Sequence, residues 1–154
     1  MLVYRIAKAR YVDDLTGTGA KRYGGRWNPK GLAVLYTSEH RSLAALEMLV
    51  HVSLQTVPDD LRLATIELPD DAVETLDPAI FAEITASVTP ERGFREVGRD
   101  WLASVRSLAL RVPSVLIPAE HNVLVSPEHP AFAAVRLTEV RPFALDARLL
   151  GGNF

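Results

Sequence analysis

Apolar and polar positions alternate over 2–7, the two-residue period of a strand with one buried face. A stretch over 13–25 follows, whose Gly17, Gly19, Gly24 and Gly25 predict a loop, and then a short apolar run over 33–37 that predicts a second strand. From Ser38 the period lengthens. Leu43, Leu46, Leu49, Val50 and Leu54 recur at helical spacing, so a helix capped by Ser38 is expected to reach about residue 53, with Glu47 inside it. A strand over 61–68 is closed by Pro69 and Asp70-Asp71. The pattern then weakens, with Pro78 and Pro90 on either side of a short helix over 79–86. A longer helix is expected over 94–109, with Val97, Trp101, Leu102, Val105 and Leu108 as its buried stripe. Runs over 112–117, 122–125 and 135–143 predict three more strands.

Strands at both ends with helices between them indicate an α+β or mixed α/β domain, in which two sheets or one split sheet enclose a cleft. The irregular alternation of elements disfavours a doubly wound sheet. At 154 residues and 48% hydrophobic content the chain can bury one proper core, and one domain over 1–154 is expected. No apolar run approaches the roughly 20 residues of a membrane span, and the N-terminus enters a strand pattern without a signal-peptide core, so a cytoplasmic location away from membranes is expected. The chain has no cysteine, which excludes disulfides, a thiolate nucleophile and cysteine-ligated metals. His121 and His129 stand eight residues apart with prolines between them, which is no ligand spacing, and no metal is expected. The hydrophobic content permits a homo-oligomer without requiring one.

The net charge of −2 hides an asymmetry: residues 1–30 carry seven basic against two acidic side chains, and the remainder ten against seventeen. An N-terminal excess of +5 favours an anionic ligand near that segment, although a solvated charged surface would look the same. The excess is too short to be a nucleic-acid footprint.

Within that segment stands Gly24-Gly25-Arg26-Trp27-Asn28-Pro29. Two glycines let the backbone approach a ligand, and the Arg26 guanidinium can grip a phosphate bidentately; the same residues also spell an ordinary turn. The Rossmann glycine fingerprint is not matched, which disfavours an NAD dehydrogenase. Glu47 is the only charge in Leu43-Ala44-Ala45-Leu46-Glu47-Met48-Leu49-Val50. Burying it unpaired would cost on the order of several kcal/mol, so it sits on a wet face, pairs with a structural arginine, or is held to bond a ribose hydroxyl and steady positive charge at an anomeric carbon. Tyr36 and Trp27 are either packing residues or stacking surfaces. Ser114 has no histidine and aspartate at spacings that would make it a nucleophile.

Taken in order, Tyr4-Arg5-Ile6, Gly24-Gly25-Arg26-Trp27-Asn28, Val34-Leu35-Tyr36-Thr37, Ala45-Leu46-Glu47, Val112-Pro113-Ser114 and His121-Asn122-Val123-Leu124-Val125-Ser126-Pro127-Glu128-His129-Pro130 make the chain resemble the RES-domain family over nearly its whole length. The resemblance implies a fold similar to ADP-ribosyltransferases, with central split sheets enclosing an NAD cleft between flanking helices. It also implies an NAD-consuming toxin of a bacterial toxin–antitoxin pair, partnered by a DNA-binding antitoxin of the Xre type. The family's arginine falls on Arg26, its tyrosine on Tyr36, its glutamate on Glu47 and its serine on Ser114, with Arg5 as an accessory anion contact and Asn122 among the substrate contacts. The chain departs from the family at Ser126, where many relatives carry asparagine. Three activities are carried forward: cleavage of NAD+ by water or phosphate, ADP-ribose transfer to a protein, and nucleotide binding without turnover.

Overall fold

A computed structural model describes residues 1–53 and 55–150. Leu54, expected on the stripe of the first long helix, and residues 151–154 of the expected domain lie outside the described residues. The fold is α+β, as the order of elements predicted. Seven strands, β1 (Leu2–Lys8), β2 (Leu35–Ser38), β3 (Leu61–Glu67), β4 (Val73–Thr75), β5 (Ala109–Pro113), β6 (His121–Val125) and β7 (Arg136–Pro142), form one sheet in the order β4-β5-β6-β2-β1-β3-β7. All pairs are antiparallel except β4 with β5. The sheet is nearly split: β1 and β2 share the single register pair Tyr4↔Ser38, whereas β1 pairs with β3 along its whole length. Where β1 and β2 part, a hollow opens.

Among the described residues the sheet is joined by four α-helices, α1 (Thr18–Tyr23), α2 (Arg41–Leu49), α3 (Pro78–Ala86) and α4 (Pro90–Ser104), besides short 3-10 turns. Alternation along the strands sets the two sheet faces. One face carries Tyr4 and Ile6, which pack with Ala44 of α2, and also Leu110, Val112 and Leu124, which pack with Trp27 and with Phe94 and Trp101 of α4. The other face buries Val3, Leu35, Ala64, Ile66, Ala109, Val123 and Val125. Helices α2 and α4 thus stand on the same face of the sheet, over its two halves.

Several elements differ from expectation for local reasons. The glycine-rich 13–25 stretch contains α1, which is closed by Gly24 at φ 76°, its N–H donating to the Ala20 carbonyl. Ser38 caps nothing: it ends β2, its hydroxyl donates to Asn122, and α2 begins only after His40 and stops at Leu49. Helix α4 starts four residues earlier than its apolar period suggests, because Pro90 occupies its first position with Glu91 in the first turn. It ends at Val105, which is exposed and left-handed at φ 51°, so Val105 and Leu108 do not extend its stripe. Leu108 is buried instead at the approach to β5, which occupies Ala109–Pro113 rather than 112–117. The second short helix matches its expected span, with Asp77 accepting from the Ala79 N–H ahead of Pro78. Strand β4 carried no readable pattern. No helix among the described residues is long and apolar enough to cross a membrane.

Candidate active site

Glu47 lies three residues after Ala44 and four after Leu43, the two buried residues of α2, so helical spacing turns it inward over the sheet. Its Oε1 accepts from the Ser114 hydroxyl at 2.9 Å and from the Asn122 side-chain N–H at 2.5 Å. Ser114 is fully buried just past the end of β5, and its Oγ already accepts from the Leu116 and Ile117 N–H groups at 3.1 and 3.2 Å. Its one proton is therefore directed to Glu47. Asn122, on β6, is oriented from the other end, where its Oδ1 accepts from Ser38 at 2.7 Å. Glu47 forms no salt bridge among the described residues, so neither the wet face nor an arginine partner accounts for it. Two neutral donors hold one carboxylate oxygen, and no donor among the described residues holds Oε2.

Two chambers adjoin at this residue. The smaller, about 290 Å3, lies in the split between β1 and β2 and is lined by Tyr4, Arg5, Ser38 and Met48. The larger, about 680 Å3, is walled by α1, the Gly24–Trp27 loop, the end of α2 and one side of α4, and falls within the ~300–1,000 Å3 usual for small-molecule sites. Tyr36, Glu47, His51 and Asn122 line both. Arg26 and Glu47, 21 positions apart in the chain, share the larger chamber.

Arg5 lines the smaller chamber. Its Nη1 donates to the Asp14 carbonyl at 2.7 Å and the Val12 carbonyl at 3.5 Å, and burial lowers its pKa from the ordinary value while Asp14 and Asp13 oppose the shift. Arg26 is exposed, with its guanidinium carbon 5.6 Å from the centre of the Phe94 ring. Tyr36 lines both chambers, while its hydroxyl accepts from the Trp27 N–H at 3.0 Å and donates to Asn28 Oδ1 at 2.7 Å. Burial pushes the phenol up to about 12, against the pull of the Trp27 and Asn28 backbone N–H groups and of Arg26 and Arg95, so it stays a donor at any physiological pH.

Asn28, which reads as a turn residue, is fully buried and organises the loop: its Nδ2 donates to the carbonyls of Ala20 and Leu32, both at 2.9 Å, and of Pro29 at 3.1 Å. Sequence reasoning also missed His51 and Arg95 on the chamber walls. His51 follows Glu47 by four residues, a spacing visible in the sequence. Arg95 precedes Gly98 by three, and a glycine inside a helical pattern was the available signal of close packing beside it. Ser126 is buried, its N–H donating to the Leu108 carbonyl at 2.8 Å.

Gly25 is a glycine for want of space. A Cβ there would stand 2.5 Å from the Tyr36 hydroxyl and 2.8 Å from Asn28 Oδ1. Gly25→Ala is expected to part that hydrogen-bonded pair and cost about 2 kcal/mol, lowering the thermal unfolding midpoint by about 4–8 °C. An unchanged midpoint would show that the loop yields freely.

The RES domain family model matches residues 2–146. Among curated relatives, a protein named Toxin Res from Yersinia enterocolitica is 40% identical, covering 97% of this chain and 99% of its own length. The Prs ADP-ribosylating toxin of a Sphingobium species is 35% identical over 94% of this chain and 91% of its own. Among solved structures, a chain of the Mycobacterium tuberculosis MbcT–MbcA toxin–antitoxin complex superposes with a TM-score of 0.76, covering 98% of this chain and 89% of that one; at 21% identity this shows a shared fold.

Proposed function

The chain belongs to the RES-domain family, and from that premise we propose that it is the NAD+-consuming toxin of a bacterial toxin–antitoxin pair, cleaving the bond between nicotinamide and ribose. One observation carries this reading: a carboxylate on the inner face of α2, unpaired with any cation among the described residues and held by Ser114 and Asn122, lines a chamber that Arg26 and Tyr36 also line.

The chemistry asks for little more. Nicotinamide departs as a neutral base from a cationic ring, so the leaving group needs no proton, unlike the oxygen of an ordinary glycoside. Positive charge develops at the ribose anomeric carbon, where Glu47 Oε2 would stabilise it more in the transition state than in the bound substrate. Ser114 and Asn122 keep the carboxylate fixed so that no reorganisation accompanies the reaction. Arg26 would grip the phosphates and Tyr36 would stack on nicotinamide. Water attacking the anomeric carbon yields ADP-ribose, nicotinamide and one proton; phosphate attacking it yields a phosphorylated ADP-ribose.

The name of the Sphingobium relative favours a second reading, ADP-ribose transfer to a protein side chain. Both share the steps at the ribose and differ in the acceptor. The toxin–antitoxin complex of the structural neighbour supports a cognate antitoxin as partner. Incubation of the purified chain with NAD+ is expected to release nicotinamide with ADP-ribose or its phosphate as co-product. Label appearing on a polypeptide would select transfer. No consumption of NAD+ under any of these conditions would overturn the enzyme reading and leave a nucleotide-binding module.

A further inference from the structure

Helix α4 carries three arginines, and two of them are neutralised by a neighbour: Arg92 pairs with Glu96 at 2.8 Å and Arg99 with Asp100 at 3.2 Å. Arg95 forms no salt bridge among the described residues. It lines the larger chamber, and its Nε donates to the Gly25 carbonyl at 3.4 Å, so the side chain reaches across to the loop that carries Arg26. Arg26 leans the other way, over Phe94, the residue before Arg95. Glu91 lines the same chamber one helical turn before Arg95, yet is salt-bridged to neither arginine.

We propose that Arg95 is a second phosphate-binding residue, forming with Arg26 a two-guanidinium clamp at the Gly24-Gly25 loop that makes the larger chamber selective for ligands bearing a pyrophosphate. Two like charges in one cleft, neither salt-bridged to a carboxylate among the described residues, repel each other, and an entering anion relieves that repulsion. Each guanidinium presents a planar fork matched to one phosphate group, so a pair of them fits two linked phosphates better than one. Their separation is built into the packing. Gly98, one turn beyond Arg95 on the same side of α4, presses directly on the Trp27 carbonyl, and that contact fixes the helix against the loop. Arg5 serves a different place: it lines the smaller chamber and donates to two backbone carbonyls, leaving Arg95 as the partner of Arg26.

The inference rests on the NAD+ reading for its substrate, and binding separates the two. Affinities for ADP and AMP are to be measured by titration calorimetry on the full chain and on Arg95→Gln, with NAD+ kinetics alongside. The parent is expected to bind ADP at least about tenfold more tightly than AMP, and Arg95→Gln to weaken ADP binding about ten- to hundredfold, the worth of one charge-assisted contact, and AMP binding by much less. The KM for NAD+ should rise in step with the ADP loss, with the smaller change in kcat. Unchanged ADP affinity in Arg95→Gln, equal losses for ADP and AMP, or no ADP binding by the parent would each overturn the clamp. ADP binding that depends on Arg95 in a protein that never consumes NAD+ would uphold the clamp and sink the proposed reaction. Should Arg95→Gln lower the unfolding midpoint, Arg95→Met, which keeps the apolar stem, carries the same comparison.

Discussion

Replacing Glu47 by glutamine is expected to slow nicotinamide release from NAD+ by at least about a hundredfold, the scale of losing one preorganised electrostatic contact, in a protein that still folds. The two expectations have separate grounds. Glutamine keeps the length and shape of the side chain, and its carbonyl oxygen can still accept from Ser114 or Asn122, so the packing against the sheet survives. Replacing an ionised acceptor by a neutral one weakens those bonds by about 1 kcal/mol, a small part of the stability of a domain this size. What disappears is the negative charge that, in the proposed reaction, faces the anomeric carbon. Because positive charge moves from the pyridinium ring onto the ribose as the glycosidic bond breaks, the contact would be stronger in the transition state than in bound NAD+, and the loss should fall mainly on kcat, with KM less affected. Initial rates of nicotinamide release by the purified variant decide the matter. A parental rate would remove Glu47 from the chemistry, whatever the chamber binds.

Glu47 was legible because an isolated charge in an apolar helical run must be explained, but its direction stayed open in the sequence until α2 was seen to bury Leu43 and Ala44. The elements that place it were legible too, since β1, β3, α2 and β6 repeat their periods for several residues. Other parts carried no such signal. Strand β4 is three residues long, half-buried, and held as a parallel edge by β5, so its pairing is a property of the assembled sheet. Ser38 has the composition of a helix cap, but its hydroxyl is taken by Asn122, which is 84 positions away in the chain. Competition between a local and a distant partner cannot be read from either residue alone. The site shows the same division. Arg26, Tyr36, Glu47 and Ser114 stood out by motif, whereas Arg95 enters the chamber only because α4 docks on the loop, and Asn28 looked like a turn residue while serving as the loop's buried anchor.

That docking leads to the largest effect expected on stability. Gly98 sits within α4, where alanine would ordinarily be worth about 1 kcal/mol in helix propensity. Space reverses the sign. A methyl group at Gly98 would overlap the Trp27 carbonyl oxygen and stand 2.7 Å from its carbonyl carbon, and neither is the end of a flexible side chain. The helix or the loop must therefore move, carrying Phe94 and Trp101 out of register with Trp27 in the core beneath. Overpacking of this kind against backbone is expected to cost about 3 kcal/mol or more net of propensity, lowering the unfolding midpoint by about 6–12 °C. Gly19→Ala provides the contrast. It too places alanine in a helix, but nothing lies within 4 Å of the new methyl, and it should leave the midpoint unchanged or raise it slightly. If Gly98→Ala proved as stable as Gly19→Ala, the close contact between α4 and the loop would be wrong. The same displacement would draw Arg95 away from Arg26, so Gly98→Ala should also bind ADP more weakly at temperatures where it remains folded. The position of a glycine in one helix thereby sets both the stability of the core and the charge geometry of the cleft.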